Sequence, residues 1–440
     1  MAAPVHKVVL ANGLPVVVAP QPHLQRAYVA LWARVGSRFE TDAENGISHF
    51  LEHMIYRGTR RVPSAHAVNL AFESLGGSLF ASTQVDHGIF SLGLPPESLG
   101  AACALFGEVL SEPAFLDIDV ERGIVAEEIL EDLDDEGRQI DADNVSRALI
   151  YGDHPLGFTI TGTEKHVRSF HEDMLRRWHA EHYTADNAAL VFSGNVEIDA
   201  AFRLAQQAFE RSLPRGTRIP ATPPALTQKA ARLEIVENVS SQTELRICFR
   251  ACAETHALRP ALDMLMRVID DGMSTRLYHR LCDARGLCYD VSAGYDPYED
   301  DGVVDVAAGV QHKRVPLVTR EILALFDELA QTGPTEEELT KARRRVLWDA
   351  RSMADSPEET GSFYAGGLLF DRQSTPEEHV AALVRVTPSD VREVARWMAR
   401  PERLSVTAVG LPEGDQDAAA NELEDVVDGW RGADGAHPAA

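Results

Sequence analysis

His49-Phe50-Leu51-Glu52-His53 is a short stretch in which three polar side chains recur among apolar ones. Residues three and four apart share a helix face, so His49, Glu52 and His53 point the same way on a helix. Two imidazoles one turn apart can share a metal ion, and a carboxylate beside them can hold the water that the metal activates. The order H-x-x-E-H is the reverse of the commoner H-E-x-x-H, which the chain lacks. The alternative is a surface helix with two solvated histidines. The surroundings favour a site. Asn45-Gly46 supply a turn upstream, Gly58 ends the helix, and Ile47, Phe50, Leu51, Met54 and Ile55 surround the polar trio. Buried polar groups need partners, and a metal satisfies all three at once.

A third ligand has to come from another buried helix, and the pattern predicts one over residues 120–133. It offers Glu121, Glu127, Glu128, Glu131 and Asp132. At ~100° per residue, with Ile124 at zero, the apolar Ile124, Val125, Ile129 and Leu133 span roughly 0° to 180°. Glu128 at about 40° and Glu121 at about 60° fall inside that arc, whereas Glu127 and Glu131, near 300° and 340°, fall outside it. A carboxylate on an apolar face needs a compensating charge, so Glu128 is the expected ligand and Glu121 its supporting companion. The alternative is that both line a solvated edge.

The chain has 440 residues, enough for two or three domains, and its 45% hydrophobic and 25% charged residues suit a globular protein with substantial cores. No apolar run reaches the ~20 residues of a membrane span, and the N-terminal sequence enters strand-like residues without a signal-peptide pattern. Five cysteines, Cys103, Cys248, Cys252, Cys282 and Cys288, lack C-x-x-C spacing and read as reduced thiols of a cytoplasmic protein. The spacing of Cys282 and Cys288 argues against a metal or redox pair. His179 and His182, one turn apart, lack an evident third ligand and read as structural. A net charge of −26, from 68 acidic and 42 basic residues, argues against nucleic acid or an anionic membrane as partner. It fits either an acidic cleft for basic peptides or general solubility.

Residues 7–10 and 14–19, joined at Asn12-Gly13, read as a hairpin, and an apolar run over 27–35 leads to the histidine helix. Gly76-Gly77 precede two strand-like runs, 78–83 and 88–94. Residues 213–229 carry Pro214, Pro220, Pro223 and Pro224 and read as a linker at the midpoint. The second half echoes the first: Trp178 on a helix precedes a strand ending at Gly194, and Trp397 on a helix precedes one ending at Gly410. The expected organisation is therefore a duplicated α+β unit: a domain over 1–212, the linker 213–229, a second domain over 230–412, and an acidic, mobile tail over 413–440.

With these landmarks in place the chain resembles the pitrilysin/insulinase family of inverzincin metallopeptidases, above all its short two-domain members such as the mitochondrial processing peptidase subunits. The likeness runs over nearly all of residues 5–412. It rests on Asn12-Gly13-Leu14, Gly36-Ser37-Arg38, the H-x-x-E-H stretch, Gly76-Gly77, the run from Glu121 through Glu127-Glu128, and His154-Pro155-Leu156-Gly157. In the second half it rests on Gly272-Met273-Ser274, Arg276-Leu277 and Arg285-Gly286-Leu287-Cys288-Tyr289. The resemblance implies zinc held by His49, His53 and Glu128, Glu52 as general base, and Glu121 in support of the site. It implies two αβ sandwich domains that form one half of a clamshell, closed by a homologous partner chain. It also implies endopeptidase action on flexible peptides, bound as an added strand along residues 78–83 with Phe80, Ala81, Ser82 and Thr83 in contact.

Two positions depart from the family pattern. Phe80-Ala81 stand where the family typically has Asn-Ala, so an aromatic surface replaces an amide beside the metal. Active members also carry an Arg and a Tyr seven residues apart in the second half, across the cleft; Tyr289 matches the Tyr, but Cys282 stands at the Arg position. A thiol is a poor donor without permanent charge. The expectation is a zinc-bearing subunit whose partner supplies an Arg/Tyr pair, a homodimer being the other arrangement. The competing class is a non-catalytic scaffold or peptide binder.

Overall fold

The computed structural model describes residues 4–410 and 416–432. The fold is α+β, built from two sheets clad in helices. The first sheet contains β1 (His6–Val9), β2 (Pro15–Pro20), β3 (Ala27–Ala33), β4 (Leu79–Thr83), β5 (Gly88–Leu94) and β6 (Ala188–Gly194), in the order β1-β2-β6-β3-β5-β4. The second contains β7 (Arg232–Val236), β8 (Thr243–Ala251), β9 (Cys288–Pro297), β10 (Gly302–Val310) and β11 (Leu404–Val409), in the order β7-β11-β8-β10-β9. Strand for strand, the second order repeats the first without β1. β6 runs parallel to β2 and antiparallel to β3, and β11 runs parallel to β7 and antiparallel to β8. Trp178 and Trp397 sit on the helices that precede these equivalent strands, Gly194 ends β6, and Gly410 directly follows β11.

β3 and β6 are buried at every position, because helices cover both faces of the first sheet. One of those covers comes from far along the chain. The Pro357–Leu369 helix lays Ala365 and Leu369 on Val17, Tyr28, Trp32 and Val191. Gly361 is needed there, since a side chain would strike the Tyr28 ring and the Ser193 hydroxyl. Polar clamps fix the start of this helix and the turn before it: Ser193 Oγ donates to Pro357 O at 2.6 Å, Gln21 Nε2 donates to Ala354 O at 2.9 Å, and Arg26 pairs with Glu358. In return, the Ala142–Tyr151 helix belongs to the second sheet. Ala142 and Val145 pack with Val409, and Asp143 pairs with Arg246 at 2.8 Å.

The compact units therefore interleave instead of following one another. The first takes the chain up to Glu131 with Phe158–Ala221 and Asp349–Ser374; the second takes Asp132–Gly157, Thr222–Trp348 and the chain from Thr375. Uninterrupted domains over 1–212 and 230–412 do not describe this arrangement, because each sheet draws a covering helix from the other half of the sequence. The mobile tail also needs correction. Residues 413–415 and 433–440 lie outside the described residues, but Gln416–Gly429 is a helix. Its Leu423 and Val427, with Trp430, are buried in the second core, and the Trp430 indole N–H donates to Asp327 at 2.9 Å. Among the described residues no helix is long and apolar enough to cross a membrane.

Candidate functional site

The H-x-x-E-H residues lie on the Ile47–Ile55 helix of the first unit. Its apolar face, Ile47, Phe50, Leu51, Met54 and Ile55, is fully buried. The N-terminus is held by a residue that sequence reasoning passed over. Glu40, 3% exposed, accepts from the Gly46 and Ser48 backbone N–H groups at 2.8 and 2.9 Å and from the Asn45 side chain at 3.0 Å. Gly46 turns at φ 92°, a left-handed conformation that suits glycine. Ser48 Oγ in turn accepts from Gly36 N at 3.0 Å.

The second contributor is the Ile118–Glu131 helix, entered through two left-handed non-glycine residues, Phe115 (φ 52°) and Asp117 (φ 54°). Its inward stripe is Glu121, Val125, Glu128 and Ile129. Glu127 and Glu131 face solvent, and so does Ile124 at 48% exposure. The expected apolar arc was therefore wrong at Ile124, although the two carboxylates lie on the inner side.

The structure brings His49, His53 and Glu128 together, each offering one donor atom within 4.8 Å of the others. Glu128 Oε1 lies 3.4 Å from His49 Nε2, and Oε2 lies 3.6 Å from His53 Nε2. Donors ~2.1 Å from a common zinc in tetrahedral array are ~3.4 Å apart; both imidazole–carboxylate distances are near that value, and two imidazoles with a carboxylate are a donor set that suits zinc. The Glu128 side chain is 42% exposed, which leaves access for water and substrate. Glu121 stands behind the trio: its Oε2 meets His53 Nδ1 at 3.2 Å and its Oε1 meets Arg57 Nε at 3.3 Å. That contact fixes Nδ1 as the donor and leaves His53 Nε2 with its lone pair toward the cluster. His49 Nδ1 is buried with no hydrogen-bond partner, so its ring is oriented by packing and by the Glu128 contact at Nε2.

Electrostatics follow from this crowding. Burial opposes charge on His53, but the Glu121 hydrogen bond and the charges of Glu121, Glu128 and Glu52 outweigh it and raise the ring above its ordinary value. Glu128 is lowered, chiefly by its hydrogen bond with His49, against the cost of burial.

Glu52 shares the helix face and accepts from Thr83 Oγ1 at 2.5 Å. Thr83, expected to meet substrate, thus has its hydroxyl on the carboxylate. It ends β4, an edge strand paired only with β5. Along β4, Phe80 is 59% exposed, and Ala81 and Ser82 are half-buried. Tyr56, one turn beyond Glu52 and also missed in the sequence, donates from its hydroxyl to Leu79 O at 3.1 Å. Tyr289 belongs to the second unit, on its edge strand β9, and is 92% exposed. His179 and His182 are structural, as expected: their ring nitrogens meet the carbonyls of Leu110 and Trp178, and burial lowers His182 to about 4.

The family profile described as "Insulinase (Peptidase family M16)" matches residues 16–164, and one described as "Peptidase M16 inactive domain" matches 169–346. An uncharacterized zinc protease of Streptomyces coelicolor is 30% identical over 96% of this chain and 92% of its own. The chain belongs to the M16 insulinase family of peptidases. Solved structures agree on an M16 fold. A protease from Helicobacter pylori, 22% identical, superposes over 93% of this chain and 100% of its own with a TM-score of 0.87. The periplasmic protease PqqL from Escherichia coli, 19% identical with a TM-score of 0.78, is matched over 100% of this M16 chain but 52% of that one. One M16 chain of the present length thus fills about half of that longer protease.

Proposed function

We propose that this M16 chain is a cytoplasmic zinc endopeptidase for flexible peptides, the zinc-bearing subunit of a hetero-oligomer. The observation that carries the reading is the cluster of His49, His53 and Glu128 with Glu52 on the same helix face. His49, His53 and Glu128 hold the ion, which when bound supplies a Lewis acid that makes water nucleophilic at neutral pH. The remaining work belongs to the protein. Glu52 Oε1 takes the proton of the attacking water, while the Thr83 hydroxyl fixes Oε2 and so aims the carboxylate. Glu121 keeps the His53 ring in one tautomer and orientation. The β4 edge offers main-chain hydrogen bonds to an extended peptide, and exposed Phe80 favours an apolar side chain beside it. Main-chain recognition makes few sequence demands.

The hetero-oligomer rests on Cys282. Where the family resemblance implies an Arg opposite developing negative charge, this chain has a thiol, and loss of one such donor typically costs ~10²–10³-fold in rate. A homologous subunit bearing the Arg/Tyr pair supplies it; in a homodimer both copies lack it. The same thiol favours a second reading, a non-catalytic peptide binder.

The deciding experiment is a fluorogenic-peptide assay on the zinc-loaded chain, alone and with a co-purified homologous partner, alongside Glu52→Gln. Slow, chelator-sensitive cleavage alone, a strong rise with partner, and loss of cleavage with retained zinc in Glu52→Gln are expected. Undiminished turnover in zinc-loaded Glu52→Gln removes Glu52 as base. Brisk cleavage by the pure chain, unchanged by partner, removes the division of labour, and no cleavage in any combination leaves the peptide-binder reading.

A further inference from the structure

Cys282 and Cys288 are six residues apart in sequence, yet their Sγ atoms lie 3.6 Å apart. The backbone brings them together. Residues His279–Asp283 form a π-helical turn, Gly286 takes φ +56°, and the chain closes on itself through Gly286 N to Cys282 O at 3.0 Å and Leu287 N to Leu281 O at 2.7 Å. Arg314 Nη1 donates to Gly286 O at 2.6 Å and holds the loop from outside. Both thiols are free and half-buried, whereas Cys103, Cys248 and Cys252 are buried. The sulfurs are in van der Waals contact, ~1.6 Å beyond bonding distance.

We propose that Cys282 and Cys288 are a dithiol modification site that closes reversibly to a disulfide by exchange with a small-molecule disulfide such as glutathione disulfide. The Cys282 thiolate attacks one sulfur of the oxidant, whose S–S bond breaks and releases one thiol. Cys288 gives its proton to solvent and attacks Cys282 Sγ, expelling the second thiol. Two electrons pass from the protein to the oxidant, and the two protons lost by the cysteines are matched by those taken up by the released thiols. Burial raises both groups, first among their causes. The neighbouring Cys282 helps push Cys288 up to about 12, whereas the hydrogen bond from Cys288 relieves part of the burial at Cys282. Cys282 therefore leads the attack, and the dithiol is the resting form in a reducing compartment.

The site lies at the first residue of β9, which holds the place in the second sheet that β4 holds in the first. Tyr289 follows Cys288 directly. Closing the bond draws Cys288 toward the turn and re-aims Tyr289.

The test is a peptide map of the native, full-length protein after exposure to glutathione disulfide. Trypsin cuts at Arg280, Arg285 and Lys313, so closure joins residues 281–285 to residues 286–313, and reduction separates them. The joined pair is expected in the wild type and not in Cys282→Ser or Cys288→Ser. Both thiols remaining alkylatable under excess oxidant, or a glutathione adduct on Cys282 that never closes, overturns the site. The map decides the disulfide independently of whether the chain cleaves peptides.

Discussion

Glu127 and Glu128 are adjacent in sequence and opposite in surroundings. Glu127 faces water, whereas Glu128 lies 3.4 and 3.6 Å from two imidazole nitrogens. Glu128→Gln replaces a charged donor with a poor neutral one and should weaken zinc binding by more than ~100-fold. Glu127→Gln should leave it unchanged. Metal analysis after dialysis against a weak chelator separates them, and full occupancy in Glu128→Gln with loss in Glu127→Gln would reverse the assignment. The helical pattern was enough to set Glu121 and Glu128 on one stripe. It also puts Ile124 inward, because in such a pattern apolar residues mark the buried face. On this helix they do not: Val120, Ile124 and Leu130 are about half exposed, while Glu121 is 6% exposed, held by Arg57 and His53. Burial here follows the charge partners, which no single helix reveals.

The Ile47–Ile55 helix owes its placement to Glu40, whose carboxylate ties down the N-terminus of the element that carries His49, Glu52 and His53. In Glu40→Gln an amide N–H must face a backbone N–H, which costs ~1–3 kcal/mol of stability for an unsatisfied buried pair. The pH dependence has a definite sign. Burial pushes Glu40 above its ordinary 4.5, and hydrogen bonds from Ser48, Gly46 and Asn45 only partly offset that. A carboxyl raised in the fold stabilises fully below its unfolded value, and that contribution is lost as pH rises through the folded value. The Tm gap between wild type and Glu40→Gln should therefore narrow from pH 4.5 upward. A gap that widens over that range contradicts the assignment. Histidine spacing and apolar periodicity made this helix legible in the sequence. The clamp was not, because the loop that returns Glu40 to the helix start carries no periodic signal. The Gln416–Gly429 helix was missed for another reason: acidic, Ala-rich composition masked the spacing of Leu423, Val427 and Trp430.

At the scale of the whole molecule, duplication was visible in two landmarks, and the repeated strand order extends it to the full sheet. The exchange of covering helices was not visible, since a helix pattern does not say which sheet it will cover. A chain ending at Ala221, inside the expected linker, lacks the Pro357–Leu369 helix and leaves Tyr28, Trp32 and Val191 uncovered. It should bind a hydrophobic dye and aggregate, and adding residues 349–374 in trans should reduce both; a compact, dye-silent 1–221 fragment would show the helix to be dispensable. The same exchange imposes a timetable on the ribosome. After Ala221 the ribosome adds 153 residues to reach Ser374 (374 − 221), which takes roughly 8–30 s at ~5–20 residues per second. Throughout that interval the first sheet waits with one apolar face bare, so the nascent chain is a natural client for a chaperone that shields hydrophobic surface until the late helix arrives.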